Sequence, residues 1–238
     1  MFSVEDNRGY NQGYSLSGSV SKRTKRRGDY ILGRMDLNRK NEILEIGCGL
    51  GDISYQIAQH PDNMVLGTDL CENFITRARE QYQMKNLHFS LLDFNHPATL
   101  MDKKFDYIIG NGILHHLYYN LDKALENLKK LLNREGKIVF LEPNLLNPYC
   151  YLIFNTLPLF RRMAKLEPGE KAFTKKYIRN RLIHAGFHDI KIEYKDFLIP
   201  GTPSFLVKPV IFFGNVMERI PLLRNITQSI FISASYNE

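Results

Sequence analysis

The sequence predicts one α/β domain built around a mostly parallel β-sheet. Short apolar segments alternate with amphipathic helical segments between residues 41 and 144, a pattern typical of βαβ units. A glycine-rich turn at residues 47–51 separates the first predicted strand from the first helix that follows it. The chain has 238 residues, a length that one domain with its own core can accommodate.

Each apolar segment in this region is short and continuous, as expected of a strand buried in a parallel sheet. The five predicted strands span residues 42–46, 64–68, 87–92, 105–110 and 137–141. Helices are predicted where apolar residues recur at helical spacing, at residues 52–60, 73–84 and 121–132, and a short helix is predicted at 28–37.

After residue 143 the alternation breaks. A helix is predicted at 174–185 and strands at 187–197 and 226–236, whereas 144–165 and 199–224 are apolar and irregular, the second interrupted by four prolines. We expect a single domain with an N-terminal arm (1–40, loosely packed over 1–20), a ligand-binding core (41–144), two cap insertions (145–185 and 199–225) and two C-terminal strand segments (186–198 and 226–238).

The charge balance favours an anionic partner. The formal net charge is +7, and much of the excess lies in one cluster at residues 22–27 that contains five lysines and arginines. Three interpretations of this cluster stay open: a solvated helix end, a site for an anionic substrate group, or an RNA-binding surface. Nucleic acid is disfavoured because the cluster lacks the interleaved aromatic residues of stacking surfaces.

The cysteines and the apolar runs indicate the cellular setting. Cys48, Cys71 and Cys150 form no CxxC pair, so neither a disulfide framework nor structural zinc is predicted, and no metal site is expected. A reducing, cytoplasmic location fits best. No signal peptide is predicted, and the best apolar run, 149–160, falls well short of the roughly 20 residues that span a bilayer.

The glycine turn predicts a site for a nucleoside without phosphates. Glycines let the backbone approach a ligand closely, at the carboxyl end of a strand where open α/β sheets bind ligands. A dinucleotide fingerprint would need a glycine at Asp52, whose carboxylate would instead repel a pyrophosphate. The competing interpretation is that Gly47 and Gly49 serve only a tight turn.

Three carboxylates at strand ends suit a positively charged nucleoside, such as one that carries a sulfonium group. Glu45 precedes the glycines and can face a cation, Asp69 can accept the ribose hydroxyls, and Asp93 can accept from an adenine amino group. The alternatives are an N-cap role for Asp69 and a turn or cap role for Asp93.

Five segments in order resemble the class I S-adenosylmethionine-dependent methyltransferases that act on small molecules. They are ILEIGCGLGDIS, GTDLCENFITRARE, LLDFN, FDYIIGNGILHHL and GKIVFLEPN, within about residues 41–144. The resemblance implies a Rossmann-like, doubly wound sheet of seven strands with an antiparallel last strand, helical and apolar cap insertions, and S-adenosyl-L-methionine as cofactor.

The same resemblance implies which residues hold the cofactor. Glu45, Gly47 and Gly49 would hold the methionine part, Asp69 the ribose, Asp93 and Phe94 the adenine, and Asn111 would lie beside the sulfonium. Cys48 and Leu70 complete the predicted set, although Cys48 also fits as a small buried residue.

Methyl transfer needs alignment of nucleophile, methyl and sulfur, and oxygen or nitrogen nucleophiles benefit from a general base. His116 and His115 follow the fourth strand and are the candidate bases, with His116 favoured; a structural or cofactor-side role is the alternative. Tyr118, Tyr119 and Glu142 are weaker candidates.

The expected acceptor is small and hydrophobic or lipid-linked. Asn111-Gly112-Ile113-Leu114 stands where base-amino methyltransferases carry an Asn/Asp-Pro-Pro-aromatic motif. The apolar runs 149–160 and 205–213 have basic edges, which predicts either peripheral contact with an anionic membrane or an ordinary lid. Two other functions stay open: binding of S-adenosylmethionine without catalysis, and RNA methylation through the basic arm. No oligomeric state is predicted.

Overall fold

A computed structural model describes residues 18–100, 102–156, 158–167 and 169–237. The strands of the described chain are β1 (Asn41–Ile46), β2 (Asn63–Asp69), β3 (Leu87–Leu91), β4 (Phe105–Asn111), β5 (Leu132–Pro143), β6 (His188–Lys195) and β7 (Ser229–Ser235). The α-helices are α1 (Gly18–Leu32), α2 (Asp52–Ala58), α3 (Glu72–Gln81), α4 (Leu121–Leu131), α5 (Pro148–Asn155), α6 (Pro158–Met163), α7 (Lys175–His184) and α8 (Ser204–Met217).

The strands form one sheet in the order β3-β2-β1-β4-β5-β7-β6. Strands β1 to β5 pair in parallel with their neighbours, whereas β7 runs antiparallel to both β5 and β6. The predicted seven-stranded, mostly parallel sheet with an antiparallel last strand is therefore confirmed.

Helices cover both faces of the sheet, as a doubly wound fold requires. Ile31 of α1, Ile57 of α2 and Ile75 of α3 belong to the apolar layer on one face. Leu125 of α4 and Leu182 of α7 belong to the layer on the other face. Strands β1, β4 and β7 are buried on both sides, so their buried residues run almost continuously, whereas the edge strands β3 and β6 are partly exposed.

The predicted helix at 28–37 is misplaced. Helix α1 instead begins at Gly18 and ends at Leu32, so residues 18–20 of the predicted loose arm are helical, while residues 1–17 lie outside the described residues. Ile31 is the fully buried apolar side chain of the described part of α1, so little apolar spacing marks the helix. Three arginines also lie largely covered on α1, Arg23, Arg26 and Arg27, with side chains 15%, 17% and 4% exposed.

The segment 199–224 is not irregular, because α8 occupies most of it. Pro200 and Pro203 precede this helix and Pro221 follows it, which are positions where a missing N–H costs little. Only Pro209 is internal, and the helix continues through it. Strand β5 is also longer than predicted, beginning at Leu132 where α4 was expected to end.

Within the described residues, no helix combines the length and the apolar character that crossing a membrane would require.

Candidate active site

The carboxyl ends of β1 to β4 open onto one cavity of about 680 Å³. Strand β1 lies between β2 and β4, where the strand order reverses, and this is where open α/β sheets bind ligands. Helix α1 forms another wall through Val20, Ser21 and Thr24. All nine residues predicted for the cofactor line the cavity: Glu45, Gly47, Cys48, Gly49, Asp69, Leu70, Asp93, Phe94 and Asn111.

The two glycines of the turn serve different purposes. Both have positive φ, +66° at Gly47 and +55° at Gly49, a conformation that side chains disfavour. A Cβ at Gly47 would lie 2.7 Å from Cδ1 of Ile113, whereas a Cβ at Gly49 would meet nothing within 4 Å. Gly47 therefore permits close packing of the turn, and Gly49 leaves open space beside the cavity.

Glu45 places a carboxyl group in the cavity wall at the end of β1. The residue is 1% exposed, and the Ser54 hydroxyl donates to its Oε2 at 2.5 Å. Burial raises the pKa of Glu45 to about 8. The carboxyl group is therefore mostly protonated at neutral pH, and a cation in the cavity would favour its ionised form.

Asp69 ends β2 and is held by backbone donors. Its Oδ2 accepts from the Gly49 amide at 2.9 Å, and its Oδ1 accepts from the Cys71 amide at 2.9 Å. Burial raises the pKa of Asp69. The N-cap position of α3 is Cys71, so the alternative N-cap role for Asp69 is wrong. Asp69 lines the cavity, so its carboxylate can also accept from a ligand hydroxyl.

Asp93 lies near the rim, with its side chain 40% exposed. Its carboxylate accepts from the Asn95 amide at 2.9 Å and from His96 Nδ1 at 3.3 Å. Burial works to raise the pKa of Asp93, but these hydrogen bonds outweigh it and lower the pKa. Asp93 thus has the turn role that was the alternative to adenine binding, and it also lines the cavity. Phe94 is buried beside it, whereas Leu70 is 42% exposed.

The electrostatics of the cavity fit a cationic nucleoside. No lysine or arginine is found among the described residues that line the cavity. Five of these lining residues carry carboxyl groups: Glu45, Asp52, Asp69, Asp93 and Glu167. A ligand with phosphates would be repelled by such a wall, whereas a sulfonium or an ammonium would be attracted. These carboxyl groups, together with the open space at Gly49, are compatible with binding of S-adenosylmethionine.

The two candidate bases occupy different positions. His116 lines the cavity, and its Nδ1 lies 3.0 Å from Oε2 of Glu167. His115 is 8% exposed, lies outside the lining, and places Nδ1 2.9 Å from Oε2 of Glu142. Glu142 also accepts from the amides of residues 113, 114 and 115, so it fixes the turn after β4.

Sequence reasoning missed Glu167 and Glu170, which lie in the first cap insertion and carry no local signal. Glu170 Oε1 lies 3.5 Å from Nδ1 of His116, and its Oε2 lies 3.7 Å from Nε2 of His115. One ligand atom from each of these three residues lies within 4.8 Å of the others, a spacing that also suits a metal ion. The Nδ1 atoms of both histidines already have carboxylate partners, Glu142 and Glu167, and Glu170 Oε1 accepts from the Glu167 amide at 2.7 Å.

The basic cluster also has partners that sequence reasoning missed. Asp196 is 0% exposed and accepts from Arg26 Nη1 at 3.0 Å and from Arg27 Nε at 3.2 Å. Arg23 Nε lies 3.5 Å from the same carboxylate. The solvated-end interpretation therefore fails for the arginines, while Lys22 and Lys25 are exposed.

Arg27 connects this ion-pair cluster to the cavity. Its Nη1 donates to Oδ1 of Asn111 at 2.7 Å, and its Nη2 donates to Gln228 and Ser229. Because an arginine only donates, the Asn111 amide presents its oxygen to Arg27 and its NH₂ group to other neighbours. Helix α1 thereby orients a residue of the cavity wall.

The chain resembles a methyltransferase and a polyketide synthase in sequence. A malonyl-[acyl-carrier protein] O-methyltransferase of Bacillus cereus is 30% identical over 165 residues, covering 67% of this chain and 56% of that protein. A probable polyketide synthase of Dictyostelium discoideum is 28% identical over 137 residues, covering 49% of this chain but 5% of its own length. The chain thus spans little more than half of the first relative and a small part of the second.

The fold is shared with solved methyltransferases. A Haemonchus contortus phosphoethanolamine N-methyltransferase 2, solved with S-adenosyl-L-methionine, superposes with a TM-score of 0.68 at 16% identity, covering 100% of this chain and 61% of that one. The CurJ carbon methyltransferase gives a TM-score of 0.63 at 18% identity, covering 98% and 59%.

The match to a protein family is broader than any motif. Residues 37–185 match the family described as "Methyltransferase domain". This range contains the glycine turn, the three strand-end carboxylates and both histidines. The chain therefore belongs to the methyltransferase domain family and is a class I S-adenosylmethionine-dependent methyltransferase, as its motifs predicted.

Proposed function

We propose that the protein methylates an oxygen, nitrogen or carbon nucleophile of a small acceptor that is hydrophobic or lipid-linked. The observation that carries this proposal is the composition of the cavity lining, where the apolar side chains of Val20, Ile113 and Leu117 accompany one histidine, His116. Such a lining accepts an apolar molecule and offers one group that can take a proton.

We assign the nine predicted residues to the cofactor. When bound, S-adenosylmethionine would supply an activated methyl group on its sulfonium, and the sulfur would depart with the bonding electron pair. Glu45 would balance the positive charge of the methionine part, Asp69 would accept from the ribose hydroxyls, and Asp93 would accept from the adenine. Asn111, which Arg27 holds, would lie beside the sulfur.

His116 acts as the general base. Because its Nδ1 donates to Glu167, its Nε2 takes the proton that the nucleophile loses as the methyl group arrives. Burial would lower the pKa of His116, but the hydrogen bond to Glu167 and the charge of Glu170 raise it above the ordinary value. Glu167 is a positioning residue. His115, clamped by Glu142, shapes the turn that presents His116.

The related proteins support an acceptor that is either a small molecule or a group attached to a carrier. They do not identify which atom of the acceptor is methylated. By their names, they methylate an oxygen on malonyl-[acyl-carrier protein], a carbon, or the nitrogen of phosphoethanolamine. We therefore distinguish acceptors by experiment, using a quinone precursor, a polyketide thioester and a polyprenyl-linked sugar, with release of S-adenosylhomocysteine as the signal.

The test of the base is His116→Gln. We expect turnover of the best acceptor to fall about 10²- to 10⁴-fold, while the Kd for S-adenosylmethionine changes less than about twofold. His184→Gln, an exposed histidine on α7, is the matched control and should leave turnover unchanged. Glu167→Gln should shift the rising limb of the pH–rate profile to lower pH, because it removes the charge that raises the pKa of His116.

Three results would contradict the proposal at different levels. Unchanged turnover in His116→Gln would exclude His116 as the general base. Tight cofactor binding with no methyl transfer to any acceptor would favour the non-catalytic alternative. Failure of the folded protein to bind S-adenosylmethionine would overturn the cofactor assignment itself.

A further inference from the structure

The two cap insertions expose an unusual amount of apolar surface. Phe205 is 77% exposed, Phe212 65%, Phe213 62% and Leu222 82%. We call the surface formed by these and the following side chains the apolar face: Leu146, Tyr151, Leu152, Leu159, Met163, Leu206, Val216 and Ile220. Single exposed apolar residues are common on soluble proteins, but concentrations of this kind mark interaction sites.

Hydrogen bonds join the start of the first insertion to the end of the second. Asn147, which caps α5, donates from Nδ2 to the Ile226 carbonyl at 2.7 Å. Asn144 donates to the Asn225 carbonyl at 2.9 Å, so the start of the first insertion is fixed to the end of the second. Helix α8 buries Val207 and Gly214 and turns its phenylalanines outward.

The charge around the apolar face is predominantly positive. Residues 145–165 and 199–226 contain six lysines and arginines: Arg161, Arg162, Lys165, Lys208, Arg219 and Arg224. The single acidic residue of these ranges is Glu218. Its carboxylate accepts from Lys195 at 3.4 Å and from the Asp196 amide at 2.8 Å. The face is therefore complementary to an anionic surface.

We propose that the apolar face docks the protein on an anionic lipid bilayer. The phenylalanines and leucines enter the boundary between headgroups and acyl chains, while the lysines and arginines contact lipid phosphates. A bilayer, unlike a folded partner, offers apolar depth and anionic charge together without a shaped pocket.

The apolar face is connected to the active site through α1. Arg26 of α1 donates to Asn215 of α8 at 2.5 Å, and the preceding turns of α1 carry Val20 and Thr24 into the cavity wall. A lipid-linked acceptor held in the bilayer would thus meet the cavity beside α1. This inference rests on the proposed acceptor class and deepens it.

The test is sedimentation of the full chain with vesicles of phosphatidylcholine alone or with about 30% phosphatidylserine. We expect binding to the anionic vesicles to be at least about tenfold tighter than to the neutral ones, and to weaken with salt. The triple variant Phe205→Ser, Phe212→Ser, Phe213→Ser should bind at least about tenfold more weakly. Lys208→Glu with Arg219→Glu should lose the preference for anionic vesicles.

A matched control replaces two exposed apolar residues outside the apolar face, in the double variant Leu91→Ser, Ile183→Ser. In the wild type, Leu91 is 50% exposed and Ile183 is 53% exposed. This control should bind vesicles like the wild type. All variants should bind S-adenosylmethionine normally and methylate a water-soluble acceptor at the wild-type rate, so loss of docking is separable from loss of catalysis.

Two results would overturn the docking proposal. The first is absence of binding by folded wild-type protein to anionic vesicles, or binding that the serine variant retains. The second is a wild-type dimer in sedimentation velocity that the serine substitutions dissociate, without vesicle binding, since a second copy would then cover the apolar face.

Discussion

Glu45 is a buried acid whose ionisation is poised to respond to a ligand. With a pKa of about 8, its carboxyl group is neutral in most unliganded molecules at neutral pH. A bound cation stabilises the carboxylate, so binding releases a proton from Glu45.

We therefore expect the affinity for S-adenosylhomocysteine to rise with pH below about 8, by at most tenfold per pH unit, and then to level off. Calorimetric titration at a series of pH values measures this. Glu45→Gln should bind more weakly and show a flatter profile, which separates Glu45 from the ionisation of the ligand itself. If the affinity of the wild type rises with pH no more steeply than that of Glu45→Gln, binding is not coupled to the ionisation of Glu45.

The same shift gives a check on folding. The folded pKa of Glu45 lies above its unfolded value of 4.5, so stability is full below about 4.5 and falls as pH rises toward 8. Glu45→Gln should consequently melt higher than the wild type at pH 8. Weaker binding in that variant would then not be attributable to unfolding.

At the residue scale, the motif region predicts which side chains meet at the cavity, whereas the cap insertion carries no such signal. Glu45, Asp69 and Asn111 end strands or begin turns in a contiguous motif region, so their meeting at one sheet edge follows from topology alone. Glu167 and Glu170 come from an insertion with no periodic pattern. Their contact with His116 depends on how that insertion folds back, which no local spacing encodes.

Helix α1 is stabilised by charge pairs where an ordinary helix would use apolar contacts. Burial lowers the pKa of Arg23 to about 9 and also lowers that of Arg27, whereas the charge of Asp196 opposes both shifts. Removing Asp196 would leave these guanidinium groups buried without their counter-ion.

Asp196→Asn should therefore reduce the free energy of unfolding by about 3–5 kcal/mol, measured by urea denaturation. Asp189→Asn is a close control, since both residues have positive φ, 67° and 48°, which asparagine tolerates. The side chains differ in exposure, 0% for Asp196 and 76% for Asp189. Equal losses in the two variants would refute the counter-ion role of Asp196.

The elements that the sequence predicted well are those with apolar periodicity. The core strands and the amphipathic helix α4 lie close to their predicted positions because burial set their composition. Ion pairs cover part of the inner face of α1, so apolar spacing does not mark its bounds, and prolines flank and interrupt α8, so the sequence pattern does not predict that helix. Both helices depend on partners distant in sequence, Asp196 for α1 and Phe197 for α8, where Gly214 makes room for the phenylalanine ring.

On the scale of the whole molecule, the cavity gathers the ends of four strands and helix α1 around one ligand. A ligand that contacts all of them stabilises the folded state by mass action. At a concentration of 100 Kd, the gain is about 2.7 kcal/mol, which raises the Tm of a domain of this size by about 5–10 °C.

S-adenosylhomocysteine should produce this shift in differential scanning fluorimetry, and ATP should produce almost none, because five carboxyl groups line the cavity. Asp69→Ala should melt cooperatively yet lose most of the shift. A larger shift with ATP would contradict the electrostatic assignment of the cavity and reopen the question of a phosphorylated ligand.

The position of β7 has a consequence for protein synthesis. On the ribosome, β6 is made before β7, yet in the finished sheet β7 lies between β5 and β6. Until β7 emerges, β5 keeps an unpaired edge and β6 has no place to dock. Gln228 and Ser229, which bind Arg27, also arrive with β7. A nascent chain can thus complete its glycine turn early, but the α1 wall is secured only when β7 has been translated, so cofactor capture is tied to the synthesis of β7.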